Sequence, residues 1–314
     1  MATALHHPTP LFLAHRLSAL HQQSIYFKMD CYQPTGSFKI RGIGRRCQEA
    51  KAQGCRHFVI ASGGNAGLAT AYAGWKLKVP TTVVLPLKTP VAMQEKIRSL
   101  GARVELAGQV WDEAHAVAVD LAAKENAVYI PPFDHPTLWE GHASVIAECA
   151  AQMPEPDWIV VAVGGGGYFC GVMQGLKEQG WHQAKVLTAE TVGSNCLQAA
   201  LQAGERVELA TINSIASSLG AKQVAQQAFE YAQQERVQSH AVTDAQALEA
   251  VEGFLEDVGT LVEPACGAAL STVYQPIPQL EQGATVLVLV CGGAGMNLAQ
   301  FQQYQTTIKA NTCI

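Results

Sequence analysis

From Arg56 onward, short apolar runs alternate with segments of helical period, and glycine clusters stand between several of them. Residues 57–62 read as a strand and 65–77 as a helix, followed by a strand at 81–85 and a helix at 91–100. The rhythm goes on with a strand at 102–106, a helix at 110–124 and a strand at 128–130. A βαβα order with short turns leaves few options beyond a parallel sheet covered by helices. The proline-rich run Pro131-Pro132-Phe133-Asp134-His135-Pro136 breaks the rhythm and marks a domain boundary. Beyond it the alternation resumes, with helices at 138–153 and 168–179 and strands at 158–163 and 185–189. A helix at 244–257 with Thr243 as N-cap, a strand at 285–290 and a helix at 296–304 close the chain. No clear period holds between Thr191 and Leu219. Two α/β units of this kind place a ligand between them, at the carboxyl ends of the strands.

Charged residues make up 15% and hydrophobic residues 48% of the 314 positions, which excludes disorder and fits a compact enzyme-like globule. A net charge of -5 without a basic block argues against nucleic acid as a partner. No apolar run reaches the length of a membrane span, and the first residues lack the apolar core of an export signal. The nine cysteines are scattered, without metal-ligand spacing, and suit free thiols in a reducing cytoplasm.

Three glycine turns follow apolar strands. Gly164-Gly165-Gly166-Gly167 precedes a helix, so successive N–H groups and the helix N-terminus suit a phosphate. The run matches neither a dinucleotide fingerprint nor a Walker loop. Ser62-Gly63-Gly64-Asn65-Ala66-Gly67 is a second anion site, with a carboxylate as its natural guest. Asn65 could also serve simply as a helix cap, which would leave the glycines unexplained. In Cys291-Gly292-Gly293-Ala294-Gly295 the thiol suits a neutral ring nitrogen, or is just a small buried apolar group. Glu190, after the strand at 185–189, either binds a cation or ends the strand in solvent. Glu263 has less claim on chemistry, and His135 and His142 read as structural. Lys39 lies between Phe38 and Ile40; desolvation there lowers the amine pKa and makes it a nucleophile able to condense with an aldehyde.

Taken in order, these motifs resemble the pyridoxal-phosphate (PLP)-dependent serine/threonine dehydratases of the tryptophan-synthase-β fold type, closest to the short serine-dehydratase branch. The likeness runs from Ser37-Phe38-Lys39-Ile40-Arg41-Gly42 to Cys291-Gly292-Gly293 and includes Trp139-Glu140-Gly141-His142 and 261–270. It implies two open, twisted, largely parallel α/β domains, PLP fold type II, with the cofactor in the cleft between them. Residues 1–36 plus 135–314 would form the large domain and 37–134 the small one, with no C-terminal regulatory domain. Lys39 would hold the cofactor and take the α-proton, and Phe38 and Ser218 would flank the ring. Gly164, Gly165, Gly166 and Gly167 would hold the phosphate, and Cys291 would meet the ring nitrogen. Ser62, Gly63, Gly64, Asn65 and Ala66 would bind the substrate carboxylate, with Asn65 also near the ring hydroxyl. A monovalent cation, potassium, would sit on Glu190 and the carbonyls of Gly164, Ser194, Leu219 and Ala221.

The implied reaction eliminates water from L-serine to leave aminoacrylate, which takes up water again and hydrolyses to pyruvate and ammonia, and it likewise turns L-threonine into 2-oxobutyrate and ammonia, in a cytoplasmic homodimer. The alternatives are serine racemase, a β-replacing synthase, or an amino-acid-binding regulatory protein on the same scaffold. Two departures stand out. Related racemases carry a serine at the place of Gly63, and Ser218 replaces an expected alanine.

Overall fold

The structure is a computed structural model that describes residues 3–312. The chain enters through β1 (Leu11–Leu13), α1 (His15–His21) and β2 (Ser24–Lys28), then α2 (Lys39–Ala52). Next come β3 (Phe58–Ala61), α3 (Asn65–Leu77), β4 (Thr81–Leu85), α4 (Val91–Ser99), β5 (Arg103–Leu106), α5 (Trp111–Lys124) and β6 (Val128–Tyr129). After the proline run follow α6 (Pro136–Ala150), β7 (Trp158–Ala162), α7 (Gly167–Gln179) and β8 (Lys185–Thr191). Then α8 (Cys196–Ala203), α9 (Gln226–Ala232), β9 (Val237–Val242), α10 (Asp244–Val258), α11 (Pro264–Tyr274), β10 (Thr285–Leu289) and α12 (Leu298–Thr312) complete the chain.

Two sheets form. The six-stranded sheet has the order β1-β2-β10-β7-β8-β9, parallel except for β1, and the four-stranded sheet has the order β5-β4-β3-β6, all parallel. The fold is therefore α/β, as the alternation predicts. In β3 the pleat divides the core in two. Phe58 and Ile60 pack with Ile40, Ile43 and Ile97 on one side, and Val59 and Ala61 pack with Ala114 and Ala118 on the other. The larger core wraps both faces of the six-stranded sheet around Trp158, Val160, Phe169, Phe254 and Leu287. Among the described residues no helix is long and apolar enough to cross a membrane.

Several elements lie outside the alternation seen in sequence: β1, β2, α2, α8, α9, β9 and α11. The final helix starts at Leu298 rather than 296 and runs on to Thr312. Thr243 does cap α10, in a reciprocal capping box with Gln246.

The start of α2 is held by buried ions. Arg41 donates to both oxygens of Asp30 (2.7 and 2.8 Å) and to both oxygens of Glu148 (2.6 and 2.9 Å). Lys28 pairs with Glu148 at 2.7 Å. The side chains of Arg41, Asp30 and Lys28 are completely buried, so two positive and two negative charges neutralise one another away from water. Burial raises the Asp30 pKa, but the Arg41 charge, with hydrogen bonds from Arg41, Tyr168 and Thr9, holds it below the usual carboxylate range. Arg41→Met should cost about 3–5 kcal/mol, because Asp30 is left buried and unpaired. Urea unfolding of the purified protein measures this; a loss under about 1 kcal/mol would contradict the role given to the pair.

Candidate active site

Three of the four segments that meet at the site follow carboxyl ends of parallel strands: the turns after β3, β7 and β10. The fourth is residues 36–39, at the start of α2. It is clamped to the turn after β10: Ser37 bridges Gly292, Phe38 N–H donates to Cys291 O at 3.1 Å, and Gly293 N–H donates to Gly36 O at 2.8 Å. Gly292 and Gly293 have φ of 90° and 135°, which only glycine adopts without strain, so the turn can bend back onto this segment.

Lys39 is the first residue of α2. Its Nζ donates to Pro132 O at 2.7 Å and lies 5.2 Å from the Phe38 ring centroid. Burial lowers its pKa from 10.5 to about 8, and among the described residues no carboxylate pairs with it to restore the charge. Cys291 lies close enough to Lys39 for the two groups to influence each other. A hydrogen bond with Cys266, then burial, raise the Cys291 thiol well above its ordinary value, so it stays neutral.

Behind Lys39 lies the glycine loop between β7 and α7. Gly166 has φ of 90°. A Cβ on Gly164 would come within 2.8 Å of Leu219 Cα, and one on Gly165 would strike the Phe133 ring. Glycine is thus demanded here by close packing as well as by backbone shape. Among the described residues, the N–H groups of Gly165, Gly166 and Gly167 donate to no protein acceptor. Such a cradle at a helix N-terminus fits a phosphate.

Asn65 does not cap its helix. Gly64 is the N-cap, and Asn65 turns its amide inward: Nδ2 donates to Glu263 Oε2 at 3.0 Å, and Oδ1 accepts from Ala294 N–H at 2.9 Å. Ser218 Oγ donates to the same Glu263 oxygen, and Gly295 N–H donates to the other at 2.7 Å. Glu263 is therefore the hub that joins Asn65, Ser218 and the β10 turn, a place that its sequence context understates. The signal was there in Pro264, because proline at a first helical position marks Glu263 as the residue at a helix start. Gly63, Gly64, Ser217, Ser218, Glu263 and Gly295 line a cleft at this point.

Ser62 Oγ accepts from Gly64 N–H at 3.3 Å, and Ala66 is buried in the first turn of α3. Glu190 is not at a solvated strand end. It is wholly buried within β8, and its two oxygens accept from Leu197 N–H (2.9 Å) and Gln198 N–H (2.8 Å) at the start of α8. Burial raises its pKa from 4.5 to about 7, against those two bonds. Ser194 Oγ nearby is buried without a partner, Leu219 packs on Gly164, and Ala221 N–H donates to Leu219 O at 2.7 Å. His135 does cap α6, accepting from Thr137 N–H. His142 is buried against Phe38.

The donor set suits one kind of guest: an aldehyde at Lys39, a phosphate at the glycine loop and an aromatic ring beside Phe38. The chain belongs to the pyridoxal-phosphate-dependent enzyme family, whose model matches residues 2–292. It is 45% identical over 306 residues to a Bos taurus protein named L-serine dehydratase/L-threonine deaminase, covering 94% of each chain. It is 44% identical over 310 residues to the Homo sapiens serine dehydratase-like protein, covering 96% of this chain and 94% of that one. A fungal L-serine ammonia-lyase from Rhizomucor miehei superposes with a TM-score of 0.91 at 37% identity, over 97% of this chain and 99% of the other.

The depressed Lys39 pKa makes a signed prediction. The neutral amine is the reactive form, so the rate at which cofactor-free protein combines with an aldehyde should rise with pH and level off above about 8. Stopped-flow absorbance against pH measures it, and Lys39→Ala should abolish the reaction. A midpoint near the ordinary lysine value, about 10.4, would contradict the burial described here.

Proposed function

We propose that the chain is an L-serine/L-threonine ammonia-lyase, converting L-serine to pyruvate and ammonia and L-threonine to 2-oxobutyrate and ammonia. The observation that carries this is the desolvated Lys39 amine close to a thiol that stays neutral, with Asn65 bonded to the turn after Cys291 and a glycine loop whose N–H groups have no protein acceptor among the described residues. The names of the relatives at 38–45% identity support the substrates.

Bound pyridoxal phosphate would supply an electron sink for negative charge at the substrate Cα. The residues do the rest. Gly164, Gly165, Gly166 and Gly167 offer N–H groups to the phosphate. Lys39 would hold the cofactor's aldehyde and, once its amine is free, would accept the α-proton at Nζ. Phe38 and Ser218 flank the ring. Cys291 would offer the ring nitrogen only a neutral thiol, which gives a proton on that nitrogen no counter-charge. Ser62, Gly63, Gly64, Asn65 and Ala66 orient the substrate carboxylate through amides and short side chains. In this proposal residues 37–134 form the small domain, and 1–36 with 135–314 the large one. We propose a cytoplasmic homodimer; the free thiols of the described residues suit a reducing compartment.

We also propose a potassium site on Glu190 and the carbonyls of Gly164, Ser194, Leu219 and Ala221. The unpartnered Ser194 hydroxyl and the buried Glu190 carboxyl support it. A cation there competes with the proton that burial favours on Glu190. The half-activating potassium concentration should therefore fall, by up to about tenfold per pH unit, as pH rises toward about 7, and flatten above it. Keto-acid release assayed across potassium concentrations at several pH values tests this. Equal rates in sodium and in potassium at every pH would remove the site.

Stereochemistry gives a further expectation. Gly63 has no side chain to deliver a proton to the second face of Cα. A Cβ there would lie 2.6 Å from Thr89 Oγ1 and 3.1 Å from its Cγ2, so Thr89 already occupies the space. D-Serine should form at least about a hundredfold more slowly than pyruvate, the loss expected without a general acid. Gly63→Ser should help only with Thr89→Ala beside it. Chiral chromatography after incubation with L-serine decides; substantial D-serine from the unaltered protein would point to a racemase.

A further inference from the structure

Phe38 has two ring faces, and one of them is already taken. Tyr168 stacks on it at a centroid distance of 4.0 Å and an interplanar angle of 22°. His142 closes the edge, 5.1 Å from Phe38 and 5.5 Å from Tyr168. Only the opposite face of Phe38 is left for a cofactor ring. Tyr168 is also the residue directly after Gly167, in the first turn of α7, so one side chain spans from the phosphate cradle to the residue before Lys39.

The Tyr168 ring is not free to turn. It is buried, and its hydroxyl donates to Asp30 Oδ2 at 2.8 Å. Asp30 in turn holds Arg41, two residues beyond Lys39. The contacts close a circuit: Lys39, Phe38, Tyr168, Asp30, Arg41 and back along α2 to Lys39. Every link is a short stretch of continuous backbone, a stacked ring or a hydrogen bond of 2.8 Å or less. Rocking of Phe38 would tilt any ring packed on it and swing the substrate Cα–H away from the lysine. Fixing Tyr168 by both its face and its hydroxyl prevents that rocking.

We propose that Tyr168 is a positioning residue that sets the plane of Phe38, and through it the tilt of the cofactor ring against Lys39. The inference rests on the cofactor reading above but not on the identity of the substrate. Its test is binding and spectroscopy. Cofactor-free wild type, Tyr168→Phe and Tyr168→Leu are titrated with pyridoxal phosphate. Visible circular dichroism per bound cofactor and the melting temperatures of the free and loaded forms are recorded. Tyr168→Phe keeps the stack and the fold, since Asp30 retains Arg41 and Thr9 as partners. It should bind about threefold to tenfold more weakly. Tyr168→Leu should lose about tenfold or more and lower the dichroism, because the ring is no longer held in one plane. Wild-type affinity and dichroism in both variants, with only the melting temperature of the free form lowered, would reduce Tyr168 to core filling and overturn the proposal. A wild-type protein that takes up no pyridoxal phosphate would instead overturn the cofactor reading.

Discussion

The site depends on keeping one amine out of water without giving it a counter-ion. A carboxylate beside Lys39 would stabilise the ammonium and destroy the nucleophile. Among the described residues the fold instead gives Nζ a single acceptor, Pro132 O, with a neutral thiol, Cys291, close by. The charges that the chain must bury here are gathered around Arg41 and paired with one another. Arg41, Lys28, Asp30 and Glu148 satisfy one another, so their fields largely cancel at Lys39. The segregation is physical economy in sequence terms: Lys39 and Arg41, two residues apart, start the same helix but face different surroundings.

The second constraint is close approach. Residues 36–38 must lie against the turn after β10, and the cradle must lie against Phe133 and Leu219. Side chains at Gly164, Gly165 or Gly292 would keep these segments apart, and one at Gly293 would strike Glu263. The glycines therefore serve assembly as well as binding. Glu263 then ties the parts together, since it accepts from Asn65 of α3, from Ser218 and from the β10 turn.

Much of this was legible in the chain. The alternation predicted α3 and β4 to the residue, and the glycine turns marked where the strand ends meet the ligand. What stayed hidden is non-local. β10 inserts between β2 and β7, partners hundreds of residues away on one side, and no local pattern reports such pairing. α11 is apolar on nearly every side, because it is buried all round, so it lacks the stripe that betrays a surface helix. The aims of Glu263 and Tyr168 are tertiary facts, since each bonds a partner from a distant segment. Glu190 bonds N–H groups only seven and eight residues on, but that depends on how the turn before α8 folds back, and sequence spacing alone could place it equally in solvent.

The central claim is that Lys39, rather than any other lysine, is the covalent anchor of the cofactor. Borohydride reduction of the protein loaded with pyridoxal phosphate, followed by peptide mass mapping, tests it most directly. The account predicts a phosphopyridoxyl group on the peptide that contains Ser37-Phe38-Lys39 and on no other at one equivalent per chain. A stable adduct on another lysine, with Lys39 unmodified, would contradict it.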